Sequence, residues 1–245
     1  MAAEPAALAA QVPFRANVVN YRVGPYRGVL PFPGGANIDV FCVDNLNGIG
    51  AAHQAYLTNL GVGANLARTR FGGYWFDNNT SAAFTSAGAN RESALTRYRQ
   101  AALLTELFKY TPYNPMNIPG SYQPIGQSVF GTSVSNPTWR DIHLAIWSRF
   151  DPAAVSALSA SATNLINWAR GQVIAKLAAN DEVYFNRFTV ISDAAMVRDA
   201  NGRVNPLGGN GSQEFITNTV PEPAQLVLIG TGLLALGLIR TRKQG

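Results

Sequence analysis

The chain has a single cysteine, Cys42, and only two histidines, His53 and His143, in 245 residues. One cysteine excludes a disulfide framework within the chain, and three soft ligands without metal-type spacing give no structural zinc pattern. Charge is scarce as well. Asp, Glu, Lys and Arg make up 13% of the sequence, about half the usual share, so the surface is largely neutral. The net charge of +5 includes three basic residues close to the C-terminus, and the remainder forms no basic stripe. The balance therefore gives no nucleic-acid signal. Arg68 and Arg70, and likewise Arg91, Arg97 and Arg99, read as solvated faces, because charged side chains are rarely buried. No cofactor motif and no internal repeat is visible.

Turn formers are plentiful: 23 glycines and 14 prolines, together with many Asn, Ser and Thr, imply a loop-rich body of the kind extracellular bacterial proteins have. Strands are expected at 17–23 (NVVNYRV), at 38–43 (IDVFCV) and at 213–219. In the second of these, Ile38, Val40 and Cys42 alternate with Asp39, Phe41 and Val43. The stretch 183–191 (VYFNRFTVI) reads as a further strand, 30–35 (LPFPGG) as a loop, and 51–70 as helix or strand. Helical spacing of apolar residues runs from Arg91 to Tyr110, with Asn90 as a fair N-cap. A second helix is expected over 138–150, with Asn136 as cap and Pro137 in its first turn, and a third over 162–178. Asn201-Gly202 and Gly208-Gly209 read as turns. Strands and helices are segregated, so the class is α+β: a single, mainly antiparallel β domain with two or three helices, followed by a C-terminal transmembrane helix.

The transmembrane helix is expected in the last 26 residues, VPEPAQLVLIGTGLLALGLIRTRKQG. Pro221 and Pro223 flank Glu222, remove two backbone donors and keep the chain extended, which separates body from tail. Ala224 to Ile239 carries no charge. As a helix this run spans roughly 24 Å, short of the roughly 30 Å of a bilayer core. Arg240, Arg242 and Lys243 follow at once, close enough to snorkel to the interface and, by the positive-inside rule, to hold the C-terminus in the cytoplasm. The body then lies on the far side of the membrane.

The order of triplet, apolar run and basic end resembles the PEP-CTERM sorting signal of Gram-negative bacteria. The resemblance implies recognition by an exosortase, a membrane protease-transferase, and a surface role linked to exopolysaccharide. The domain plan is 1–16, a disordered N-terminus or the remnant of a signal peptide; 17–219, an extracytoplasmic domain; and 220–245, the sorting signal inserted in membrane lipid. The opening stretch has no basic n-region or apolar h-region, yet Ala7-Leu8-Ala9 reads as a cleavage site, as if the rest of a signal preceded it.

Cys42 stands in Phe41-Cys42-Val43-Asp44, and about a hundred residues later comes Ile142-His143-Leu144-Ala145-Ile146-Trp147. Together these resemble the thioester domains of bacterial surface proteins. In that family an aromatic-Cys pair on an early strand bonds to the glutamine of a Gln-x-Ala-Ile-Trp segment. Here His143 stands where the glutamine belongs, and imidazole has no acyl group to offer a thiol. Gln123, Gln127 and Gln172 lie outside that frame. Three readings follow. In the first, the domain keeps the fold without the crosslink, Cys42 is a buried hydrophobe and His143 a satisfied core residue. In the second, His143 activates Cys42 as a nucleophile, oriented by Asp44 or Asp141, giving a covalent binder or an enzyme. In the third, the alignment is off or Cys42 pairs between molecules. Trp139 and Trp147 read as core. A polysaccharide-binding module using Tyr74 or Trp75 is a separate class of function. The main expectation is a non-enzymatic, structural or adhesive surface protein.

Overall fold

The computed structural model describes residues 11–17, 26–31, 34–44, 49, 51–77, 91–109, 137–205 and 211–218. Six strands close into an antiparallel barrel: β1 (Gln11–Asn17), β2 (Tyr26–Leu30), β3 (Ala36–Cys42), β4 (His53–Asn59), β7 (Thr189–Asp193) and β8 (Phe215–Thr217), in the order β1-β2-β3-β8-β7-β4. β1 serves two neighbours. Its first half pairs with β4 (Phe14 opposite His53) and its second half with β2 (Arg15 opposite Val29).

Side chains alternate across a strand, so every second residue enters the barrel. Ile38, Val40 and Cys42 do so from β3 and meet Phe14, Tyr26, Leu30, Ala55, Ile191 and Phe215. The lumen is tight at Gly28, where a Cβ would sit 2.8 Å from Phe14 Cε2 and 3.0 Å from Val40 Cγ1. The intervening residues Phe41, Val43, Val190 and Ile216 face outward into a second core built with the helices. β7 and β8 are thus buried along their whole length.

Three helices make that second layer: α1 (Ala94–Glu106), α2 (Trp139–Trp147) and α3 (Ala160–Ala178). Each has a hydroxyl cap. Ser93 accepts from Thr96 N–H, Ser159 accepts from Ala162 N–H, and Thr138 forms a reciprocal capping box with Asp141. Phe150 stacks on Phe71 at 4.6 Å between centroids and packs at a tilt against Tyr98 at 4.8 Å, locking α1 and the segment after α2 together. A two-stranded ribbon, β5 (Trp75–Asp77) with β6 (Arg91–Ser93), leads into α1.

The β-rich class and the three helices agree with expectation, and several boundaries do not. Gln11 to Ala16 belong to the barrel rather than to a disordered leader, because Phe14 and Ala16 are core residues. Tyr26–Leu30, whose last residue falls in the expected loop, is a strand. Arg91 to Ser93 pair with Trp75 to Asp77, so α1 starts at Ala94 with Ser93 as its cap. Thr138 displaces Asn136 as the cap of α2, since only Thr138 lies three residues before Asp141. The expected strand 183–191 splits into a 3-10 segment, Glu182–Arg187, and β7. Among the described residues no helix is long and apolar enough to cross a membrane. The expected transmembrane run, the strand residues after Asn17, the turn at Gly208, and Asn90, Gln123 and Gln127 lie outside the described residues.

Candidate functional site

Cys42 is the last residue of β3, fully buried at one end of the barrel. Its Sγ donates to the Asp44 carbonyl at 2.8 Å. Burial, and then the Asp44 carboxylate, push its pKa well above that of an ordinary thiol. The Trp147 indole N–H lies near enough to the sulfur to offset a part of that rise. Tyr26, across from Val40 on β2, is raised to about 12 by burial and by the neighbouring thiol.

His143 reaches the same end of the barrel from α2. It stacks on Trp147 one turn later (4.9 Å between centroids, 21° between planes) and meets Phe108 edge-on at 5.1 Å. Tyr26 closes the far side at 6.4 Å. With no exposed surface, the imidazole is driven by burial down to a pKa of about 3. At neutral pH the thiol and the imidazole are therefore both uncharged, the opposite of the thiolate–imidazolium arrangement that activates a cysteine. Both candidate acids have other partners. Asp141 gives one oxygen to Thr138 and the other to Ser159 at 2.5 Å, and Asp44 pairs with Arg70. These surroundings predict a slow thiol. Iodoacetamide labelling of Cys42 in the native chain is expected to run at least about a hundredfold slower than in urea, because the sulfur reacts only from an opened state. Fast native labelling that slows in His143→Ala would establish activation instead.

Next to Cys42 lies a fully buried polar network that the sequence did not disclose. Arg70 Nε is 3.0 Å from Asp44 Oδ2, and Nη2 donates to Ser212 O at 2.9 Å. Glu214 accepts from Arg70 N–H at 2.8 Å, from Ser192 Oγ at 2.5 Å and from the Tyr98 hydroxyl. Burial raises the Glu214 pKa despite these donors, and raises that of Tyr98 with the Glu214 charge adding to it. Gln213 sends Nε2 to the Asp44 carbonyl at 2.9 Å, the oxygen that also accepts from Cys42. It is thus a glutamine two residues before β8, the strand that pairs with the cysteine's own, whereas Gln172 sits on α3.

A second network surrounds Glu92. Arg97 Nε lies 2.5 Å from its carboxylate, Arg170 Nε 3.1 Å and Arg149 Nη1 3.8 Å. The solvated-face reading is therefore corrected for three arginines: Arg70, Arg97 and Arg99 are exposed by 0%, 1% and 4%. Arg68 and Arg91 are only partly covered. Tyr74 is half-buried with its hydroxyl on Val204 O at 2.9 Å, and Trp75 opens β5. His53 lies edge-on to Phe14 with Nδ1 2.9 Å from Ala51 O. Trp139 packs edge-on to Phe108, and Trp147 touches both cores.

Residues 219–243 match the family described as the PEP-CTERM protein-sorting motif. The match spans the Pro221-Glu222-Pro223 triplet, the apolar run and the basic residues Arg240, Arg242 and Lys243. The chain thus carries a sorting signal of the kind processed by exosortase. No curated protein and no solved structure matches the chain.

Proposed function

We propose that this chain is a non-enzymatic exported protein, whose barrel-and-helix domain is delivered across the membrane on a tail that exosortase processes. The domain serves at the cell surface or in the extracellular matrix in a structural or adhesive role, beside exopolysaccharide. The observation that carries the reading is the sorting motif at 219–243. The apolar run 224–239 holds the tail in lipid with its basic end in the cytoplasm until processing releases or transfers the body.

The test uses the full chain in a Gram-negative host with and without its exosortase. With the enzyme, the chain is expected to shorten by its tail and leave the inner-membrane fraction. Without it, or with Pro221, Glu222 and Pro223 all changed to alanine, the chain is expected to stay full-length and membrane-bound. Identical shortening in both hosts, or processing of the triple variant, would overturn the assignment.

The body is read as thioester-domain-like without the crosslink. Three features support this: the cysteine strand and the Ala-Ile-Trp helix meet at one end of the barrel, Tyr26 neighbours both Cys42 and His143, and Trp147 lies by the sulfur. The activated-thiol reading has the opposing pKa directions against it.

A further inference from the structure

A groove of about 830 Å³ is lined by the end of β4, the 3-10 turn after it and the hairpin after β7, within the roughly 300–1,000 Å³ of small-molecule sites. Three arginines line it: Arg68 from the 3-10 turn after β4, and Arg198 and Arg203 from the hairpin after β7. Among the described residues none of the three forms an ion pair with a carboxylate. The neighbouring acid, Asp199, accepts through Oδ1 from Asn201 N–H at 2.9 Å and from Arg203 N–H at 2.8 Å.

The arginines are held rather than splayed into solvent. Arg198 donates to Arg68 O at 2.8 Å and Gly202 O at 3.0 Å. Arg68 lies over the Tyr56 ring at 4.9 Å, and Arg203 over Tyr74 at 5.6 Å. Burial, and then the Arg68 charge, hold the Arg198 pKa below the usual guanidinium value, with Glu214 offsetting a part, and an anion between the two arginines would relieve their repulsion. Gly73, beside Arg203, adopts φ +82°, a left-handed backbone that favours glycine.

Chemistry other than charge completes the groove. Asn65 and Asn201 line it with amide groups. It continues past Ala64, Asn65, Leu66 and Gly73 into a second hollow of about 310 Å³, which Tyr74 and Trp75 border. Guanidinium forks suit carboxylates, amides suit hydroxyls, and an aromatic edge suits the apolar face of a sugar ring. We infer that this groove binds a short stretch of carboxylated polysaccharide, with Arg68, Arg198 and Arg203 taking the carboxylates and Trp75 packing on a ring. The inference rests on the surface role proposed above. A nucleic acid fits less well, because three cations without a backbone-tracking stripe neutralise little of a phosphate chain.

Binding is read on the purified full chain in mild detergent, so it is independent of sorting. Polygalacturonate is expected to bind saturably and to weaken with salt, while dextran of similar length does not bind. Arg68→Gln with Arg203→Gln, at an unchanged unfolding midpoint, is expected to weaken binding by about a hundredfold, and Trp75→Ala by about tenfold. Arg203→Lys keeps the charge but not the fork, so it should lose part of the affinity while the salt slope stays. No polygalacturonate binding, equal binding of dextran, or equal binding of a single-stranded DNA oligonucleotide would each overturn the proposal. Correct tail processing alongside any of these would leave the sorting assignment standing.

Discussion

Arg70→Ala is expected to cost the fold about 3–5 kcal/mol, a third or more of the stability of a typical domain. The guanidinium has no exposed surface and sits 3.0 Å from the equally buried Asp44 carboxylate. Removing it leaves that carboxylate buried without its guanidinium, the Glu214 N–H at 3.2 Å remaining among its bonds. Glu214 suffers less, because its donors come from the Arg70 backbone, Ser192 and Tyr98, all of which survive the substitution. The two carboxylates would then share one cavity with no cation between them. A urea titration should show a lower midpoint at an unchanged slope. Arg70→Met combined with Asp44→Asn should recover a large part of the loss, since it removes the stranded charge and keeps most of the volume. A single-variant loss below about 1 kcal/mol would mean that the network does not hold β3, β8 and the segment before β5 together.

The network also marks the limit of what could be read from the chain. Local pattern was informative wherever the deciding contact was close in sequence. The alternation at Ile38, Val40 and Cys42 predicted a strand and separated its two faces, and these became the lumen and the helix-side core. The start signal at Pro137 placed a helix over 138–150, and the sorting motif was legible outright because its chemistry is linear. Arg70 was misread because its partners stand 26 and 142 residues away, at Asp44 and Ser212. Arg97 was misread for the same reason, bonding to Asp77 O and Arg149 O. The 3-10 segment at Glu182–Arg187 has strand-like composition, but Asn186 is drawn into the loop after β4, where it accepts from Val62 N–H at 3.2 Å. Tertiary contact overrode propensity there. The groove was invisible because its lining is drawn from 57–68, 72–73 and 198–203, which only the fold brings together.

His143→Gln is expected to flatten the acid limb of the stability curve. The native imidazole titrates at about 3 and the unfolded one near 6.5. Between those values the unfolded chain binds a proton that the folded chain refuses. Stability from this residue is therefore complete above pH 6.5 and is lost as pH falls toward 3, by on the order of 4 kcal/mol. Tyr26 and Cys42, two titratable neighbours at that end of the barrel, stay neutral throughout this range, and the Asp44 carboxylate there is common to parent and variant. Glu92, whose pKa is lowered below the usual carboxylate value because Arg97 and its other partners outweigh burial, adds a loss in the same direction at lower pH. Glu214, whose pKa is raised, works in the opposite sense. Both are common to the variant, so the difference between the two pH profiles isolates His143. A buried amide also needs partners, so the variant's stability at pH 7 is a poor readout and the slope is the useful one. The same chain tests the body's likeness to a thioester domain. If position 143 faces Cys42 as that likeness requires, the thiol sulfur bonds to the new glutamine's amide carbon. The carbon–nitrogen bond breaks, and ammonia leaves with the thiol proton. Intact mass should then fall by one ammonia relative to the unclosed variant, with Cys42 refusing iodoacetamide even in urea. A flattened profile with no loss of ammonia would keep His143 as a buried neutral core residue and overturn the thioester likeness. Loss of ammonia from the parent chain itself would point to Gln213, the glutamine that shares a carbonyl with Cys42.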